Sequence, residues 1–308
     1  MLIALLIIVR AAQIGASMLL TGIFTFDLIT LGPAARHATD DLHEVEQRLF
    51  RLARWSLIAA LLSALLWFWL EVANMSGLPL TRVFSMTPWQ AVLFETEFGR
   101  VWQFRLGLIP VAFVLAALGF ARMRRALILA LFLISLALLI SLSWISHAAA
   151  VRAQPLGLLG DALHLCAAGA WIGGFLPLAI FLTRARASFS LGECVLPVAR
   201  RFSALSLSCV GVLIMGGISN SWLLVGSIHA LFTTRYGWLL LAKLAVFGVL
   251  VGFGARNRFV IKTKLTKVPM GSDLLAQLRR NVICEACLGL AVIAIVGCLG
   301  VTPPARGS

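Results

Sequence analysis

Long apolar runs separated by short polar connections dominate the chain. Eight can be marked, over residues 4–31, 55–73, 100–120, 126–146, 158–182, 202–224, 237–254 and 282–301. Each is close to the ~20 residues that a helix needs to cross a hydrocarbon core of about 30 Å. A membrane β-barrel would instead show short segments of alternating hydrophobicity. The pattern predicts an all-α, polytopic membrane protein with eight transmembrane helices. The opening stretch, MLIALLIIVRAAQIGASMLL, lacks the basic n-region and short apolar core of a cleaved leader and reads as a retained helix.

The connections orient the spans. Those after spans one, three, five and seven carry eighteen of the twenty-six lysines and arginines, from Arg36 to Arg280, and the opposite side carries six. By the positive-inside rule both termini lie outside the cytoplasm, N-out and C-out. The connection 32–54 mixes Asp40, Asp41, Glu44 and Glu46 with arginines and predicts a cytoplasmic amphipathic helix, with His37 and His43 solvated. On the outer side, Thr87-Pro88 has the form of an N-cap followed by proline at the first helical position. A short interfacial helix is expected there, with Trp89 and Phe94 at headgroup level.

Composition agrees with this reading. Hydrophobic residues make up 61% and charged residues 12% of the chain. The net charge of +14 would suit nucleic acid, but the basic residues sit in short clusters between apolar runs, as membrane topology requires. The partner they imply is the lipid bilayer, not nucleic acid. Six scattered cysteines show no paired spacing in an outward loop, so structural disulfides are not expected.

Two echoes suggest an internal repeat. Thr96-Glu97-Phe98-Gly99 followed by Arg105-Leu106 matches Thr234-Arg235-Tyr236-Gly237 followed by Lys243-Leu244, with the same spacing. Arg10, Gln13 and Gly22 are spaced like Asp161, His164 and Gly173. Both echoes join helices running in the same direction. The expected arrangement is two parallel four-helix halves, residues 1–146 and 147–308.

The polar residues inside this apolar background are the candidate chemistry, because ionisable groups in a span are costly and need partners. His164 lies about 9 Å inside span five at 1.5 Å per residue. Asp161 one turn before it and Trp171 seven residues after it share its face. His147 ends span four at the same level, so His147, His164 and Asp161 form a candidate metal site, with Asp161 as ligand or orienter. Imidazole suits copper and zinc, and Met215 in span six is a thioether that could reach the interior. Arg105 and Lys243 either snorkel to the headgroups or pair with Glu95 or Asp161. Glu285 enters span eight from the cytoplasmic side beside Cys284 and Cys287. Those cysteines lack the second ligand pair of a zinc site and are expected to pack as small hydrophobes. Gly173-Gly174 and Gly216-Gly217 would let helices approach closely, and Asn220 would hydrogen-bond across helices.

DALHLCAAGAWIGGFLPL, TRYGWLLLAKL and RRNVICEACLGL together resemble the CopD/PcoD copper-resistance membrane proteins. The resemblance implies an inner-membrane protein of copper homeostasis that moves copper ion from periplasm to cytoplasm, partnered by a CopC-type periplasmic copper-binding protein. It supports roles for Asp161, His164, Trp171, Gly173, Gly174, Tyr236, Gly237, Lys243 and Glu285. In this reading an outer His/Asp site accepts copper and Glu285 lies on the inward path. No Walker motif or phosphorylatable-aspartate signature is present, which argues against ATP-driven pumping, and no catalytic residues are expected. Two alternatives stand beside it. Histidines on neighbouring helices can ligate haem in a membrane electron carrier. A non-transporting scaffold or sensor for a periplasmic copper protein is the other.

Overall fold

Lipid offers no partner to a peptide group, so an apolar run that crosses it closes its backbone bonds within itself, as a helix. The structure, a computed structural model, describes residues 1–34, 39–80, 82–83, 86–117, 124–145, 154–261 and 272–307. Among the described residues there is no strand, and eight helices are long and apolar enough to cross a membrane.

Several helices run past the apolar windows, because polar residues with good helix propensity extend them into water. Span two is the inner part of one helix, Thr39–Ser76, that also contains the amphipathic segment expected before it. No glycine or proline interrupts that stretch, and it stops before Gly77, whose φ of 67° suits glycine at a helix C-terminus. Span six likewise extends over Phe189–Val225. Span five is broken into Gln154–Ile172 and Phe175–Ala185 at Gly173-Gly174. Spans one, three, four, seven and eight occupy Leu2–Thr25, Glu97–Ala117, Arg124–Ile140, Arg235–Arg256 and Ser272–Leu299. Spans one and seven each continue into a π-helical turn, Phe26–Leu31 and Asn257–Ile261.

Span one is the centre of the molecule. It packs against spans two, four, five and eight, while spans five, six, seven and eight close a second ring. Its polar residues Gln13, Ser17, Thr21, Thr25 and Thr30 are all buried, and Gln13, Ser17 and Thr21 hydrogen-bond to spans two, three and four, partners that lipid would not offer. Its contact with span five is backbone on backbone. A Cβ at Gly22 would overlap Gly173, and a Cβ at Gly173 would overlap the carbonyl of Met18, so both positions admit only hydrogen.

Polar contacts fix the ends. Asp41 Oδ2 accepts hydrogen bonds from Ser188 Oγ at 2.5 Å and Ser190 Oγ at 2.7 Å. Glu44 pairs with Arg48 at 3.1 Å and with Arg184. These contacts tie the start of the long span-two helix to the connection between spans five and six. On the other side the short helix Met86–Glu95 forms where expected. Trp89 Nε1 donates to the Val83 carbonyl at 2.6 Å and the ring meets Phe68 edge-on, while Phe94 is exposed.

Gly173→Ala is therefore expected to destabilise the purified protein by roughly 1–3 kcal/mol or to abolish its accumulation, as overpacking does. Gly217→Ala, where nothing lies within 4 Å of an added Cβ, is expected to leave the melting temperature unchanged or slightly higher. Equal melting curves for the two variants would remove the close contact as the organising feature.

Candidate functional site

The N-terminal ends of spans three and seven are built alike. Thr96 Oγ1 accepts from Gly99 N at 2.9 Å and donates to the Val92 carbonyl at 2.6 Å. Thr234 Oγ1 accepts from Gly237 N at 3.0 Å and donates to the Ala230 carbonyl at 2.7 Å. In both, a short helix turns sharply into the span, so closely that a Cβ at Gly99 or Gly237 would overlap the preceding carbonyls. This turn sets the rotation of each span, and six residues later Arg105 and Lys243 are directed into the bundle.

Around Lys243 lies the candidate site. Asp161 and His164 stand one turn apart on span five, and Asn220 Nδ2 of span six donates to Asp161 Oδ1 at 3.4 Å. Gly216 lets the imidazole lie against span six, since a Cβ there would be 3.3 Å from His164 Nδ1. Lys243 interacts electrostatically with both Asp161 and His164, and Tyr236 with Asp161. His164 Nδ1 and Asn220 Oδ1 are buried and, among the described residues, have no hydrogen-bond partner. Below them, Trp171 is almost fully buried and meets Phe175 and Phe247 edge-on at 5.6 and 6.0 Å. The cluster thus combines a nitrogen lone pair, a carboxylate, a carboxamide oxygen and an ammonium over an apolar floor. An entering cation would compete with Lys243 for Asp161.

Glu285 forms a separate polar cluster toward the other end of the bundle. It is 3% exposed, and its Oε2 accepts from Asn257 Nδ2 at 3.0 Å. Asn257 Oδ1 accepts in turn from Asn281 Nδ2 at 2.7 Å. Asn257 is the first residue of the π-helical turn that continues span seven, and Asn281 stands one turn before Glu285. Among the described residues a carboxamide, Asn257, rather than a cation therefore holds this carboxylate, and Asn281 holds the carboxamide. Neither asparagine was singled out in the sequence. The spacing of Asn281 to Glu285 was the available signal.

The remaining expectations divide. Arg105 does not snorkel: it is fully buried, donating to the Leu138 carbonyl and to Ser141 Oγ at 2.6 Å and Ser17 Oγ at 3.3 Å. Glu95 is exposed and is not its partner. Met215 does not reach the interior. It is 74% exposed, because the inward face of span six is taken by Leu213, Gly216 and Asn220. Cys284 and Cys287 are exposed rather than packed inside, and both are free thiols. His43 and His229 are exposed, and Asn220 bonds across helices as expected. His147 and His37 lie outside the described residues, so the pairing of His147 with His164 is not part of this geometry. Among the described residues no group of three or more His, Cys, Asp or Glu side chains gathers into a metal site.

Comparison with known proteins places the chain. Residues 1–158 match the copper resistance protein D-like N-terminal domain, and residues 196–299 match copper resistance protein D. The chain belongs to the copper resistance protein D family. This family member is 30% identical over 210 residues to copper transport protein CutJ of Bacillus subtilis, an alignment covering 65% of the chain but only 36% of CutJ. It is 30% identical over 224 residues to inner membrane protein YebZ of Escherichia coli, covering 71% of the chain and 73% of that relative. With copper resistance protein D of Pseudomonas syringae pv. tomato it shares 28% identity over 222 residues, 70% of the chain and 71% of the relative. No solved structure matches significantly. The protein is thus a multi-pass membrane protein related to copper resistance and transport.

If Asp161 balances Lys243, Asp161→Asn alone is expected to cost about 1–3 kcal/mol by stranding a half-buried ammonium. The double variant Asp161→Asn/Lys243→Met should recover most of that loss in a thermal melt. Strictly additive effects of the two substitutions would show that the charges do not interact.

Proposed function

We propose that this protein carries copper ion across the bacterial inner membrane, from periplasm to cytoplasm, as a transporter rather than an enzyme. The observation that supports it most directly is the His164 imidazole, whose buried Nδ1 has no partner among the described residues and which stands one turn from Asp161 in a chain of a copper-resistance family. In this reading copper enters from the outer side and binds His164, with Asp161 as ligand or orienter and His147 completing the site from the connection between spans four and five. Copper displaces the Lys243 ammonium from Asp161, so loading frees a positive charge within the site. Glu285, held by Asn257, receives the ion on its inward path. A CopC-type periplasmic copper binder delivers it.

The same reading takes the chain as two parallel halves, 1–146 and 147–308, related by an axis along the membrane normal. Two features support it. The matched turns at Thr96 and Thr234 fold alike, and Gly22 and Gly173, equivalent under the repeat, meet each other, as residues beside a two-fold axis do. Both termini then face the periplasm, so alkaline phosphatase fused after residue 308 is expected to be active, whereas fluorescent protein fused there is not; the reverse result would invert the orientation.

Purified protein is expected to retain copper, measured by elemental analysis, and to carry it into proteoliposomes. His164→Ala should reduce both by about tenfold or more, the scale on which loss of a ligand or its orienter acts. Retention and flux unchanged in both His164→Ala and His147→Ala would overturn the site. A Soret band in place of copper would overturn the cargo.

A further inference from the structure

The first half contains a buried cation with no buried acid facing it. Arg105 is fully buried, and its partners among the described residues are all neutral: the Leu138 carbonyl, Ser141 Oγ, Ser17 Oγ and the Trp102 ring, whose centroid lies 5.6 Å from Cζ. Among the described residues no carboxylate pairs with it. Glu71, a carboxylate of the same half, interacts with Arg10, which lies over the Trp67 ring. Lys243, at the matching position of the second half, has Asp161. A guanidinium taken out of water and met only by neutral dipoles is costly unless a counter-charge accompanies it.

Two donors mark where that charge would sit. Arg105 Nε–H is buried and, among the described residues, has no acceptor. Gln13 is fully buried, its Oε1 accepts from Ser63 Oγ at 2.5 Å, and its Nε2 is buried without an acceptor as well. Ser17, which accepts from Arg105, lies one turn along span one from Gln13, on the same face. Residues one turn apart have neighbouring Cβ atoms, about 5–6 Å from each other, so the hydrogen bond to Ser17 brings the Arg105 guanidinium to the stretch of span one that carries Gln13. A water molecule could accept from both donors, but it would leave the guanidinium charge uncompensated.

We propose that Arg105 and Gln13 bind a small inorganic anion of the size and charge of chloride, within the ring of spans one to four. The anion neutralises Arg105 as Asp161 neutralises Lys243. This site stands independently of the copper reading, since none of its residues belongs to the His164 cluster.

Binding of radiolabelled chloride to the full-length protein in nanodiscs tests it, with bromide and gluconate as competitors and each sample checked by a cooperative melt. Chloride is expected to bind saturably, to be displaced by bromide but not gluconate, and to raise the melting temperature relative to gluconate. Gln13→Leu and Arg105→Lys should each weaken binding about tenfold or more, the worth of one hydrogen bond to a charged group. His164→Ala should leave it intact. Folded wild type with no saturable chloride binding, or with equal melting in chloride and gluconate, holds at most a water there and overturns the proposal. Undiminished binding in both variants overturns the location. Should Arg105→Lys fail to fold, Gln13→Leu, which keeps the side-chain volume, decides it alone.

Discussion

Hydrocarbon accepts no hydrogen bonds, and this constraint orders the whole molecule. Every polar side chain along the spans must turn toward another helix, bond a carbonyl of its own helix or reach the headgroups. Span one carries a long polar stripe, from Gln13 to Thr30, and it occupies the centre, where four other spans cover it. Span five approaches it closely, and the facing glycines Gly22 and Gly173 permit that approach. The N-terminal part of span five, before the Gly173-Gly174 break, carries Asp161 and His164 against spans six and seven.

Spans three and seven use a shared local geometry for different charges. A threonine-capped turn directs Arg105 inward in one and Lys243 in the other. Around Lys243 stand Asp161, His164 and Asn220, whereas Arg105 meets Ser17, Ser141 and a backbone carbonyl. One cluster therefore gathers a carboxylate, an imidazole and an ammonium, and the other a guanidinium among neutral groups, although the turns that build them are alike.

At the other end the constraint acts through backbone irregularity. A π-helical turn changes the angular position of the residues that follow it, and such turns are common at functional sites. In span seven such a turn begins at Asn257, whose carboxamide bonds the buried Glu285 and is itself held by Asn281. In span one a similar turn carries Asp27, also buried. The Asp41 and Glu44 contacts then hold the connection between spans five and six against the long span-two helix.

Helix number and type, the short helix before span three and the close contacts at Gly173, Gly174 and Gly216 were legible in the sequence, because each depends on local composition or on a residue with one steric role. Gly217, expected to do the same, faces open space, and Gly22 was not marked for contact. Asp161, His164, Lys243 and Glu285 were legible as buried chemistry for a related reason: an ionisable residue in an apolar run has few places to go. Which side chains meet was not legible. In a soluble helix the apolar stripe marks the inward face, but here lipid and protein interior are equally apolar, so Met215 and Cys284 gave no sign that they face outward. The partnerships of Gln13 with Ser63 and of Asn257 with Glu285 join residues far apart in the chain, and only the packing of spans one with two and seven with eight decided them. Periodicity sets the direction in which a side chain points along its own helix; the neighbour it meets follows from how the helices pack.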